Sequence, residues 1–245
     1  MRLSGLHLRV SNPKALAEFY VSHMGMQLQT NGDALRLGYP GQDADLVLWD
    51  GGEAYEHQSS DIYWKIGITL PNVDVAYTQL RAAGVDVSEP KQFLDIGYMC
   101  HLADPEGFVI ELLQQDFEGN RPDGVGDAGL PLGGGARIGQ ITLRSGDIAA
   151  DVTPYLDLGM RCLSIQTIPD RFDLHFLAFT VEATPHPDLY YVGNREWLWK
   201  RPYTTLEFQH VAGGRFATTR ALAGLEIEGL ENPARDCLGT ALIPA

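Results

Sequence analysis

The chain has 245 residues, 44% of them hydrophobic and 20% charged, enough for one large or two small domains with a sizeable packed core. Its formal net charge of -14 argues against a nucleic-acid backbone or an anionic membrane as partner. No apolar run approaches the about 18 residues of a membrane span, and the three widely spaced cysteines, Cys100, Cys162 and Cys237, point to a reducing, cytoplasmic setting and not to a disulfide scaffold.

Three segments share one plan: a strand, a helix, then three strands. The first begins at LSGLHLRV, which alternates like a strand and lacks the apolar core of a secretory signal. Asn12 is placed to cap a helix whose first residue is Pro13. Leu16, Phe19, Tyr20 and Met24 recur at helical spacing, and Gly25 offers a left-handed stop. The strands ALRLGYP and ADLVLWD follow. The second segment runs from YWKIGITL, through a helix capped by Asn72 with Val73, Ala76, Tyr77 and Leu80 on its apolar stripe and Gly84 at its end, to YMCHLAD and GFVIELLQQ.

Asp116 to Ala136 is rich in Gly, Pro and Asp and reads as a linker. The third segment then runs from IGQITLRS to FDLHFLAFT and YTTLEFQHV. Pro154 falls inside its expected helix, so that helix is predicted to begin near Thr153 or to kink there. After His210 only 35 residues remain, fewer than the roughly 50 a further βαβββ module needs. A fourth module is therefore expected to be abbreviated, with LAGLEIEGL as one of its strands. The prediction is an α+β fold of repeated βαβββ modules in curled mixed and antiparallel sheets. Residues 1–115 form a first domain of two modules, 116–136 a linker, and 137–245 a second domain.

Three stretches carry a family resemblance. FDLHFLAFT with WLWKRPYTTLEFQH is similar to the matching strands of glyoxalase I. DPEGFVIEL (Asp104–Leu112) is similar to an ending shared across the vicinal-oxygen-chelate superfamily, and LRVSNPKALAEFYVSHMGM is typical of its first helix and turn. The chain thus resembles that superfamily of glyoxalase I, bleomycin-resistance and extradiol-dioxygenase proteins over most of residues 3–211. The resemblance implies that two modules curl around one site, each giving a metal ligand from its first and its last strand. Carried onto this chain, those positions are Gln140 and Glu207 in segment three, Lys65 and Glu111 in segment two, and Gly5 and Leu48 in segment one. His7, on the same strand face as Gly5, is a further candidate for the pocket.

Closing segment one on segment two would leave only Glu111 at a ligand position. Closing segment two on segment three would gather Lys65, Glu111, Gln140 and Glu207, and is the preferred arrangement. Inward-facing carboxylates and an amide suit a divalent ion such as Zn, Ni, Co, Mn or Fe with open positions for substrate oxygens. Lys65, a donor without a lone pair, repels such an ion and can instead neutralise Glu111 and Glu207, so the metal can equally be absent. Glu207 and Glu111 are the candidate proton carriers, Gln140, Glu207 and Glu111 the candidate metal ligands, and Arg144, Lys65 and His7 the candidate substrate contacts. Arg144 and Arg9 stand where glyoxalase I holds a glutathione carboxylate, although the Asn that assists there is Val211 here. His101, His175 and His210 read as structural or half-exposed strand residues. Cys100 and His101, neighbours on a strand, face opposite ways and do not make a nucleophile–base pair. No glycine-rich phosphate loop precedes a helix.

The implied activity is a glyoxalase I-like, metal-assisted lyase or isomerase acting on a small 1,2-oxygenated substrate such as a glutathione hemithioacetal. The alternative is a metal-free small-molecule-binding protein of the resistance type. An extradiol dioxygenase ranks third, since it needs two His and one carboxylate that the matching positions lack. The seam left by an abbreviated module favours a homodimer.

Overall fold

The computed structural model describes residues 1–126 and 131–245, so residues 127–130 of the expected linker lie outside the described residues. The first module is β1 (Arg2–Arg9), α1 (Pro13–Met24), β2 (Gln27–Asn31), β3 (Ala34–Gly38) and β4 (Asp45–Trp49). The second is β5 (Tyr63–Leu70), α2 (Val73–Ala82), β6 (Lys91–Phe93), β7 (Gly97–Ala103) and β8 (Val109–Gln114). The third is β9 (Arg137–Ser145), α3 (Ile148–Asp157), β10 (Arg161–Ile168), β11 (Phe172–Ala178), an inserted α4 (Gly193–Trp199) and β12 (Thr205–His210). The last is reduced to β13 (Leu222–Glu228), β14 (Ala234–Arg235) and β15 (Ala241–Pro244), with no helix between β13 and β14.

Helix ends follow local chemistry. The Asn12 side chain accepts from the Ala15 amide, Pro13 opens α1, and Gly25 closes it in the left-handed region at φ 71. Asn72 accepts from the Asp74 and Val75 amides at the start of α2. The third helix departs from expectation. It starts at Ile148, not near Thr153, because Asp147 caps it by accepting from the Ala150 amide, and it runs through Pro154. Proline removes one amide donor there, yet the last turn still closes from the Leu158 amide to the Pro154 carbonyl at 3.2 Å.

The strands form two sheets. A seven-stranded sheet has the order β14-β15-β13-β1-β4-β3-β2, and an eight-stranded sheet the order β10-β11-β12-β9-β5-β8-β7-β6. The first joins modules one and four through antiparallel β1 and β13, and the second joins modules two and three through antiparallel β5 and β9. Each sheet thus takes one module from either side of the 116–136 segment, which separates modules in sequence but not sheets in space.

The main core draws on one face of each sheet and the inner faces of α1, α2 and α3: Leu6, Leu8, Leu16, Tyr20, Ile66, Ile68, Leu80, Ile141, Tyr155 and Phe208 are all within it. Strand alternation does the sorting. Ile66 and Ile68 of β5, Ile110 and Leu112 of β8, Ile141 and Leu143 of β9, and Leu206 and Phe208 of β12 face this core. Their neighbours Lys65, Glu111, Gln140 and Glu207 face the opposite, curled side. A second apolar cluster, including Ile96, Met99, Phe176, Leu198 and Trp199, occupies part of that side. There α4 closes one end of the groove: Trp199 donates to the Ile96 carbonyl at 3.3 Å, and Arg195 pairs with Asp95 at 2.5 Å. Among the described residues, no helix is long and apolar enough to cross a membrane.

Candidate functional site in the eight-stranded sheet

Lys65, Glu111, Gln140 and Glu207, drawn from β5, β8, β9 and β12, converge at the floor of the groove, with exposures of 3%, 3%, 2% and 0%. The Lys65 ammonium donates to Glu111 Oε2 at 2.5 Å and lies 3.9 Å from Glu207 Oε2. Gln140 Nε2 donates to Glu111 Oε1 at 2.8 Å and to Glu207 Oε2 at 3.1 Å, tying the two carboxyls together. Thr142 donates to Glu207 Oε2 at 2.6 Å. His101, directly opposite Glu111 in the β7–β8 ladder, places Nε2 2.9 Å from Glu111 Oε2.

Gly67 makes this crossing possible. It pairs with Gln140 across the β5–β9 seam, and a Cβ there would lie 2.3 Å from Gln140 Cγ. The absent side chain lets Gln140 lie flat over β5 and reach both glutamates.

The two carboxyls titrate in opposite directions. Burial alone would raise Glu111, but the Lys65 charge and the His101 hydrogen bond outweigh it and bring its pKa down to about 2. Burial raises Glu207; the Lys65 charge opposes this, and the neighbouring Glu111 charge adds to the rise. The cluster therefore holds one firmly ionised carboxylate paired with an ammonium, and one carboxyl inclined to keep its proton. Glu207 Oε1 and Gln140 Oε1 are buried without a hydrogen-bond partner. Buried oxygens of this kind are costly unless something brings them a donor.

Above this floor lies a cavity of about 350 Å³ walled by Trp64, Phe93, Met99, Leu113, Phe172, Phe176 and Trp199. Lys65, Lys91, His101, Glu111, Gln140, Arg171, Glu207 and Gln209 supply its polar lining. Apolar walls over a few convergent polar groups are the usual make-up of a small-molecule site. His101 is the one histidine of that lining among the described residues.

The donor set does not fit a divalent ion in this arrangement. Three oxygen-bearing side chains are present, but the fourth position carries an ammonium already seated against Glu111. That group offers no lone pair and repels a cation.

Among the described residues, the corresponding positions of the seven-stranded sheet do not repeat this polar set. Its register also corrects one position. Val47 pairs with His7 across β1 and β4 as Glu111 pairs with Gly67 across β5 and β8, so Val47, not Leu48, corresponds to Glu111. Leu48 faces the core; a shift of one residue reverses the face of a strand. By the same register, module four presents Gly224 and Ile243 at the ligand positions. His7 lies in this sheet, away from the groove. Its Nδ1 accepts from Trp49 at 3.0 Å, and its Nε2 therefore carries the proton that it gives to Glu226 at 3.0 Å. Arg36 grips the same Glu226 with two bonds of 2.9 and 2.8 Å. Arg36 and His7 bring the Glu226 carboxyl below the usual carboxylate range despite its burial. Both ring nitrogens of His7 are thus engaged, and the structure does not bring it to the other predicted residues.

Arg144 is likewise engaged away from the cavity. It donates to Gln209 Oε1 at 3.1 Å and to the Gln58 and Asp61 carbonyls at 3.2 and 3.0 Å, and its Nη2 lies 3.1 Å from His57. It thereby pins the 58–61 loop and orients Gln209, which does line the cavity. Arg9 is exposed. The sequence reading passed over the His101–Glu111 contact, although their ladder partnership is a consequence of the hairpin between β7 and β8.

The fold is that of the vicinal-oxygen-chelate proteins, with paired βαβββ modules around a groove. Residues 2–112 match the model of the Glyoxalase/Bleomycin resistance protein/Dioxygenase superfamily. No curated protein matches the sequence. Among solved structures, glyoxalase I from Zea mays superposes with a TM-score of 0.71 at 18% identity, over 99% of this chain and 91% of that one. A putative dioxygenase from Bacillus subtilis superposes with a TM-score of 0.57 at 13% identity, over 98% of this chain and 72% of that one. At these identities the likeness is one of fold.

Proposed function

We propose that the groove of the eight-stranded sheet binds a small, largely apolar molecule without a metal ion, Lys65 standing as the cation of the site. The observation that carries this reading is the Lys65 ammonium held between Glu111 and Glu207 in the ring of ligand positions. The aromatic walls would take the body of the ligand, and a hydroxyl or amine on it would meet the orphaned Glu207 Oε1 and Gln140 Oε1. This is the behaviour of the resistance-type, ligand-sequestering members of the superfamily, and it suits a cytoplasmic protein. Native mass spectrometry of the protein as purified should find a retained small molecule, or a compound screen should find ligands whose affinity falls with Trp64→Ala. A groove that takes up neither, and holds zinc through Glu111 and Glu207, would overturn the proposal.

A second reading, a glyoxalase I-like lyase or isomerase, is favoured by one specific feature: the opposed titration of Glu111 and Glu207. Two carboxyls pushed apart in this way suit proton transfer, with Glu207 placed to move a proton at a substrate carbon. Turnover of methylglyoxal with glutathione, after incubation with Zn, Ni, Co or Mn, would support it. Glu207→Gln should then abolish the rate.

A further inference from the structure

Asp173, His175 and His210 lie on the reverse of the eight-stranded sheet from the groove. Asp173 and His175 are two residues apart on β11 and so share a face. His210 on β12 is the ladder partner of Asp173. One ligand atom from each of the three lies within 4.8 Å of the others, and all three side chains are half-buried. His210 Nδ1 is 3.8 Å from Asp173 Oδ2, and the two imidazole rings sit 6.2 Å apart at 72°. Neither ring has a hydrogen bond to any described residue, in contrast to His7, whose two nitrogens are both used. This end of the face lies past Leu177 and Phe208, where the core gives way to an open cavity bordered by Val211 and Ala212.

We propose that Asp173, His175 and His210 form a divalent transition-metal site at this open end of the core-side face, separate from the groove. Two imidazoles and one carboxylate are borderline donors that suit zinc, nickel or copper over calcium or magnesium. A tetrahedral ion with bonds of about 2.0–2.1 Å sets its ligand atoms roughly 3.3 Å apart. The Asp173–His210 spacing is already near that, and small side-chain rotations bring in His175. The ion's remaining position would face the cavity, open to water or an exogenous donor. Because β11 and β12 also present Leu174, Phe176 and Glu207 to the groove, an ion here would clamp the two strands behind that wall.

The test is a zinc titration of the full-length, metal-stripped protein against a competing chromogenic chelator. One equivalent should bind. His175→Ala and His210→Ala should each weaken it at least tenfold, and Asp173→Asn, which preserves shape, should weaken it as well. Glu207→Gln should leave it unchanged, and zinc should raise the melting temperature of the unmodified protein but not of His210→Ala. Unchanged affinity in the three variants, affinity no tighter than millimolar, or loss on Glu207→Gln alone would overturn the proposal. The last of these outcomes would instead place the ion in the groove.

Discussion

Replacing Lys65 by Met keeps the length of the side chain and removes its charge, leaving Glu111 and Glu207 facing each other at full burial without the ammonium between them. Removing one partner of a buried pair costs about 3–5 kcal/mol, because the remaining charge is left uncompensated. For a chain of this size each kcal/mol moves the melting temperature by about 2–4 °C, so the variant should melt roughly 6–20 °C lower at pH 7. The pH dependence gives the reasoning its sign. In the unmodified protein Glu111 titrates at about 2 when folded, so its stabilising contribution is present above the ordinary carboxylate range and fades as the pH falls toward that value. Without Lys65, burial raises Glu111, so the variant's penalty is largest at neutral and alkaline pH and shrinks on acidification. Urea unfolding at pH 4.5, 7 and 8.5 measures this. A melting temperature within 1 °C of the unmodified protein at pH 7, or a deficit that grows toward acid, would refute the electrostatic account of the floor.

Three further outcomes follow from the same geometry. Lys65→His supplies a lone pair at the fourth ligand position and should create a divalent-metal site with Glu111, Gln140 and Glu207, seen as one added equivalent of bound zinc. Glu207→Gln removes a carboxyl whose pKa is raised by burial. Such a group contributes stability below its unfolded pKa and loses it as the pH rises through the folded one, so the variant should be the more stable protein at pH 8, with the difference shrinking on acidification, as urea unfolding at pH 8 and at acid pH would show. Gly67→Ala drives a methyl into Gln140 and should cost about 1–3 kcal/mol of stability as an overpacked position, with ligand affinity falling because Gln140 no longer bridges the two glutamates.

Local rules account for much of the fold. Asn12, Pro13 and Gly25 mark out α1, and Asn72 marks the start of α2, through hydrogen bonds made within a few residues. At Pro154 the loss of a single donor counts for less than the Asp147 cap, and α3 starts at Ile148, five residues before Thr153. Non-local pairing was harder to read. That β5 meets β9, and β1 meets β13, depends on which apolar faces close one core, and no local signal fixes it. The placing of Leu48 shows the consequence: one residue of register separates a groove position from a core position. At the floor, the family resemblance pointed to Lys65, Glu111, Gln140 and Glu207, and polar groups on otherwise apolar strands need a shared partner. His101, and the cluster of Asp173, His175 and His210, emerge only once cross-strand partners are known.

Zinc content of the double variant His175→Ala/His210→Ala, measured by elemental analysis after dialysis against one equivalent of zinc, tests the central claim most directly. With these two imidazoles removed and Lys65 seated against Glu111, the protein should carry no stoichiometric zinc. A full equivalent that persists in this variant and disappears when Glu207→Gln is added would contradict the claim, because the groove would then hold the ion despite Lys65.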